Sequence, residues 1–357
     1  MSVKSFLVVA SLAVSVLIGL VLGRGSGAQG EALASGKAGA AKVIKIGLSM
    51  DTLKEARWAK DRDAFVARAN QLGAQVTVLS ANGDDTRQIA DVESLITSGV
   101  NVIVIVPHDG KAMAKGVEVA ERAGIPVIAY DRLIVDSDLA LYMTFDPERV
   151  GELQARFILD KLKDGPKPIK LVRIYGSKTD NNAILFKKGQ DKGLKDALAS
   201  GAVQVVHEDW ADDWKPENAK RIMNAAITKL GGKNIDAVLA SNDGTAGGAI
   251  QALKEEGING KVVVTGQDAE IVAVQRILAG EQSMTIYKPV LELAKRAAET
   301  AVALATGKTI VAKDEIDNGK RKVPTILLDV VTVTKDNVDS TIVKDGFHTH
   351  DEIYGHP

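Results

Sequence analysis

The 357-residue chain contains no cysteine. That excludes disulfides, thiolate metal sites, thiol nucleophiles and a lipid-modified cysteine. Aromatic residues are scarce at 4%, and only three of them are tryptophan. Neither sign of charge dominates. The formal net charge of -1 sets up no field that would draw in nucleic acid or an anionic membrane. Several motifs are also missing: G-x-G-x-x-G opening a helix after a strand, a Walker A sequence, and a G-x-S-x-G elbow. "DGTAGG" is glycine-rich, but its glycines fall inside a helical stretch and read as close helix–sheet packing. Apolar content of 45% and charged content of 25% describe a globular protein with a substantial core, and the length suits two domains.

The first residues differ from the rest. "MSVK" gives a positive start, "SFLVVASLAVSVLIGLVLG" is uncharged and apolar, and a small, flexible stretch follows. This pattern predicts a secretory signal peptide, with Ala32-Leu33-Ala34 or Ser26-Gly27-Ala28 as the cleavage site. An uncleaved anchor is the alternative, since the run reaches the short edge of membrane-spanning length. Either way the body of the protein is expected outside the cytoplasm. Nothing later in the sequence is apolar enough to span a bilayer.

From Val43 onward, short apolar runs alternate with helical patterns. "VIKIGLSM", "AQVTVLSA", "VNVIVIVP" and "IPVIAYD" form one series; "IKLVRIYG", "VQVVHEDW", "IDAVLASN", "KVVVTGQD" and "QSMTIYK" form a second. Alternation of strand and helix predicts parallel sheets, and continuous Val/Ile runs predict strands covered on both faces. The fold class is therefore α/β, with two doubly wound parallel-sheet lobes. A final apolar stretch, "VPTILLDVVTV", is too short for a third domain and returns to the first two.

In open α/β sheets, ligands bind beyond the carboxyl ends of the strands. In the first series those ends carry Asp51, Arg57 and Trp58, then Asn82, then His108 and Asp109, then Asp131 and Arg132. In the second they carry Asp180, Asn181 and Asn182; Trp210, Asp212, Asp213 and Trp214; Asn242 and Asp243; Gln267 and Asp268; and Lys288. The set holds no nucleophile paired with a base. A neutral polyhydroxylated ligand needs such a mixture, because each hydroxyl donates to a carboxylate or amide oxygen and accepts from Arg, Lys or Asn. The C–H faces of a sugar ring can lie flat on Trp. A plainer reading stands beside this one, since Asp and Asn after strands also cap helices, as Asn242 or Asp243 would. In "LKEARWAKDRD", Arg57 and Trp58 are expected to face the cleft, and most of Lys60, Asp61, Arg62 and Asp63 to be solvated on the following helix.

The stretches "EARWAKDRD", "SANGDDTRQIADVESLI", "AYDRLI", "FDPERVGELQA", "DNNAILFKKGQ", "DDWKPENAKRIM", "IDAVLASNDGTAGGAIQAL", "GQDAEI", "MTIYKP" and "STIVKDGF" cover nearly all of the chain after Val43. Through them the chain resembles the sugar-binding proteins of bacterial ABC importers, the type I periplasmic binding proteins of the ribose- and galactose-binding kind. The resemblance implies two lobes joined by a three-segment hinge. It divides the chain into 1–42 as signal and linker, 43–147 with 290–320 as the first lobe, 148–289 with 321–345 as the second, and 346–357 as a tail. It also implies that Arg57, Trp58, Asp131, Arg132, Asp180, Asn182, Trp214, Asn242, Asp268 and Lys288 bind the sugar, with Trp58 and Trp214 as the stacking pair. D-Xylose heads the expected ligands, followed by other aldopentoses and then glucose. The expected partner is an ABC permease, with a membrane chemoreceptor or sensor left open, and the protein is expected to be a monomer without cofactor. The loop 176–179 and the end "FHTHDEIYGHP" depart from the family pattern.

Other classes fit less well. Asp131 and Asp268 could in principle act on a glycosidic bond, but surrounding Arg, Lys and Asn would hold them ionised. A transcriptional regulator needs an N-terminal DNA-binding helix pair, and a secretion signal occupies that place. His348, His350, Asp351 and Glu352, with His356, could ligate a metal; a terminal tail with scattered histidines is the plainer expectation.

Overall fold

The computed structural model describes residues 43–355. The expected signal peptide, its cleavage sites and His356 lie outside them. The strands are β1 (Ile44–Met50), β2 (Ala74–Ser80), β3 (Val102–Ile105), β4 (Val127–Tyr130), β5 (Leu141–Phe145), β6 (Ile169–Tyr175), β7 (Val203–Trp210), β8 (Ala237–Ala240), β9 (Val263–Val264), β10 (Thr285–Tyr287), β11 (Asp314–Asp317), β12 (Lys322–Leu328) and β13 (Val331–Val333). The helices are α1 (Ala56–Gln71), α2 (Asp85–Thr97), α3 (Ala114–Arg122), α4 (Pro147–Lys161), α5 (Asn181–Ala199), α6 (Pro216–Leu230), α7 (Asp243–Glu255), α8 (Ile271–Leu278), α9 (Val290–Ala305) and α10 (His350–Tyr354). None of the helices among the described residues is long and apolar enough to cross a membrane.

β3, β4, β5 and β8 are buried at every residue, as strands covered by helices on both faces must be. They belong to two sheets. The first has the order β11-β12-β5-β4-β3-β1-β2, and the second β7-β6-β8-β9. Apart from the antiparallel β11–β12 edge, all pairings within these sheets are parallel. Strand order reverses at β1/β3 in the first sheet and at β6/β8 in the second, so each lobe has its crevice at a switch point. The chain passes between the lobes after β5, after β10 and after β12.

Two expectations need correction. The expected boundaries put residues 322–328 in the second lobe, but β12 pairs with β5 in the first sheet, Thr325 opposite Tyr142 and Leu328 opposite Phe145. A boundary at 320 would cut the β11–β12 turn, where Asn318 Oδ1 accepts from the amides of Lys320 and Arg321. The run that holds β10 continues the second series, with Ser283 N bonding Val264 O of β9 at 2.9 Å and Asp268 N bonding Ile286 O at 2.8 Å, and β10 also pairs antiparallel with β13. The expected tail is docked. Phe347 and His348 are buried, and α10 starts with a capping box in which Thr349 and Glu352 bond each other's backbone amides.

α4 and α5 lie in unusually close contact in the second lobe. A Cβ on Gly151 would stand 2.0 Å from the Phe186 carbonyl oxygen, and one on Gly189 1.9 Å from that of Glu148. Neither contact is with a flexible side chain that could move away. Gly151→Ala should therefore cost about 3 kcal/mol or more through overpacking. Urea unfolding should show a lower midpoint at unchanged slope; an unshifted midpoint would mean that the two helices are not held this close.

Candidate functional site

The site begins with α1, which starts just beyond the carboxyl end of β1. Its buried residues Arg57, Asp61, Phe65 and Ala69 recur every four positions and so share one face. That face is apolar over the sheet and charged at the end that reaches the second lobe. Arg57 Nη2 donates to Asp131 Oδ2 at 2.8 Å, Nη1 to Asp268 Oδ1 at 3.5 Å, and Nε to Asp61 Oδ2 at 3.2 Å. Asp61, expected among the solvated residues, is only 2% exposed. One helical turn from Arg57, it is the counter-ion on that face, and it also accepts from the Tyr130 hydroxyl.

Arg132 joins the same wall. It bonds Asp51 Oδ2 at 2.7 Å and, across the cleft, Asp180 Oδ2 at 2.9 Å. Asn182 Nδ2 crosses in the other direction to Asp131 Oδ1 at 3.2 Å and to its carbonyl at 3.0 Å. Lys288 Nζ lies 2.8 Å from Asp268 Oδ1 and 4.0 Å from Asp131. Trp214 Nε1 donates to Asp180 at 3.2 Å, while its ring sits directly on the backbone of Gly176, where a Cβ would be 2.0 Å away. The Trp58 ring has the guanidinium carbons of Arg57 and Arg132 at 4.1 and 5.3 Å from its centroid.

Burial would push the Asp131 carboxyl up, but Arg57, Lys288 and Arg132 together outweigh it and hold the group at about 2. Burial wins at Asp180, whose carboxyl is raised despite Arg132. Asp180 also accepts from the Asn182 amide as the cap of α5. Asn242 likewise caps α7, in a capping box with Thr245. For these two residues the capping and cleft-facing readings hold together.

All ten residues predicted for the site line one pocket between the lobes, together with Glu55, Phe186 and Gln267. Each of the ten is between 3% and 8% exposed. Other strand-end residues lie elsewhere. Asp51, His108 and Asp213 line an adjoining pocket at the rim, and Trp210 packs on Tyr175 with ring centroids 4.7 Å apart. Glu55 and Phe186 were missed. Glu55 accepts from Trp58 Nε1 at 3.1 Å, and the need of a buried indole N–H for an acceptor was the available signal. Phe186 falls one helical turn after Asn182, edge-on to Trp214 at 6.3 Å. Gln267 Oε1 is buried with no hydrogen-bond partner among the described residues, which leaves an acceptor for a ligand donor.

A family model described as a periplasmic binding protein domain matches residues 46–309. The chain is 49% identical to the D-xylose-binding periplasmic protein of Haemophilus influenzae and 48% identical to that of Escherichia coli, covering in each comparison 88% of this chain and 93% of the relative. Among solved structures, it resembles a carbohydrate transporter solute-binding protein from Chloroflexus aurantiacus in complex with D-glucose. That match has 33% identity and a TM-score of 0.82, and covers 88% of this chain and 100% of the other.

Not every charge contact across the rim is favourable. Burial, then Asp268, then Glu55 of the facing lobe push the half-buried Glu270 carboxyl up to about 7. A carboxyl raised in the folded state stabilises it fully below the ordinary value near 4.5, and that contribution is lost as pH rises to about 7. Glu270→Gln should therefore match the parent in Tm near pH 4.5 and exceed it progressively up to pH 8. Parallel Tm curves across that range would refute the shift.

Proposed function

Because the chain belongs to the periplasmic binding protein domain family, we propose that it captures a monosaccharide, D-xylose foremost, between its lobes and presents the closed form to the permease of an ABC importer. The observation that carries this reading is the interlobe pocket whose walls, one from each lobe, hold three cations and three aspartates among its ten buried predicted residues. The names of the Haemophilus and Escherichia relatives support xylose in particular. They also support a site of action outside the cytoplasm, as the signal-like N-terminus does. Both walls come from one chain, so a monomer suffices.

The charges suit a neutral ligand. Arg57, Arg132 and Lys288 face Asp131, Asp180 and Asp268, and the fourth carboxylate, Glu55, is paired with Lys54 at 3.1 Å, so no net attraction for an ion is built in, while sugar hydroxyls meet both donors and acceptors. A hydroxyl that is missing or inverted leaves buried groups unpaired, at about 1–3 kcal/mol each. Micromolar affinity needs about -8 kcal/mol, within reach of several charge-assisted bonds and two indole faces. The same environment argues for binding rather than catalysis. An Asp131 held near 2 keeps no proton to donate near neutral pH.

Closure follows as a population shift. The sugar contacts both walls only when the lobes meet, so it contributes differential free energy to the closed form. Calorimetry with xylose, ribose, arabinose and glucose should give the strongest response with xylose. Silence with all four would reject the proposal. Trp214→Ala should weaken xylose binding by more than about tenfold, and an unchanged isotherm would remove Trp214 from the stacking role.

A further inference from the structure

Asp268, the second-lobe carboxylate that meets both Arg57 and Lys288, is held in an unfavourable backbone conformation. Its φ is 97°, and that of the next residue, Ala269, is 51°. Two successive non-glycine residues in the left-handed region persist only where their surroundings fix them. Part of the fixing is within the second lobe: the Ala269 amide donates to Thr285 Oγ1 at 3.1 Å, and both Thr285 Oγ1 and the Glu270 amide donate to the buried Asp243 carboxylate. The rest comes from the far end of the chain. The carbonyl of Ala269, a fully buried residue, is 2.9 Å from His348 Nε2. A carbonyl only accepts, so Nε2 carries the proton and donates.

The segment around His348 reaches other parts of the site as well. Phe347 packs on Tyr287, with ring centroids 5.3 Å apart, directly before Lys288. Its carbonyl accepts from Lys60 Nζ of α1, the helix that carries Arg57. α10 is tied to α8 by Gln275 Nε2 to the Glu352 carbonyl at 3.2 Å.

We infer that Phe347-His348 is a positioning element for the ligand cleft, with His348 as a positioning residue that acts through Ala269 to hold Asp268 against Arg57 and Lys288. This rests on the sugar-binding reading above. His348 touches no cavity-lining side chain in this role; it fixes the loop that presents one.

The test uses the full chain with two substitutions. His348→Phe keeps a ring of similar packing and removes the donor, whereas His348→Gln keeps an N–H that can reach the same carbonyl. Without ligand, hydrogen exchange at the 268–270 amides should speed up about tenfold or more in His348→Phe and return towards the parent rate in His348→Gln. With D-xylose, His348→Phe should raise Kd about tenfold and His348→Gln much less. In an Asp268→Asn background, His348→Phe should add little further loss, because both changes act on one carboxylate. Unchanged exchange at 268–270, or a His348→Phe effect that adds in full to that of Asp268→Asn, overturns the inference. A parent protein that binds no aldose while the exchange effect holds would instead reject the sugar-binding reading and leave His348 as the fastener of this loop.

Discussion

A guanidinium keeps its proton inside a protein, so a buried arginine must be surrounded by acceptors. Arg57 meets that demand with three aspartates of different origin: Asp61 from its own helix, Asp131 from the loop after β4, and Asp268 from the second lobe. Much of the molecule is arranged around this group. The charged end of α1, the left-handed backbone at Asp131 and Asp268, and the approach of the two switch-point crevices all serve to bring acceptors to one cation. The third acceptor belongs to the other lobe, so in the proposed closure the full coordination of Arg57 coincides with the meeting of the lobes.

That does not make closure favourable by itself. Taking paired charges out of water costs about as much as their attraction returns, and Glu55 facing Glu270 adds repulsion across the rim. Such a balance leaves the decision to whatever fills the cavity. A ligand that completes the hydrogen bonding of groups already desolvated shifts the equilibrium, and one that leaves Gln267 or Asp180 short does not. In the proposed function, selectivity and switching thus come from the same near-cancellation.

The ten site residues could be read from the sequence because the doubly wound topology gathers the carboxyl ends of the strands along the cleft. Each of the ten chosen residues follows a strand or opens the next helix, and all ten line the cavity. Asn242 and Asp180 carried two readings, and both hold, since a capping side chain at a strand end already faces the crevice. Other features depended on pairings remote in sequence. Asp61 looked like helix surface until Tyr130, from β4, was placed beside it. β12 shows no local preference between the lobes; the open edge of β5 decides. "FHTH" looked like a polar terminus because the partners that bury Phe347 and His348, Tyr287 and Ala269, are set by the hinge crossings. Glu55 and Phe186 were missed for a smaller reason: each lies within one helical turn of a chosen residue and was hidden by it.

The β5–β12 pairing also orders events in time. The four strands of the second sheet lie in one unbroken stretch of chain and can join through contacts close in sequence. The first sheet cannot be finished until β12 is available, after the whole second lobe has intervened. Contacts between remote segments form slowly because a long loop must close first. A chain emerging from its N-terminus therefore exposes β1 to β5 early with one edge of their sheet unpaired, and completes its first lobe last. The short charged hairpin β11–β12 that finally covers that edge acts as the closing step of assembly and as a guard against association through an open strand.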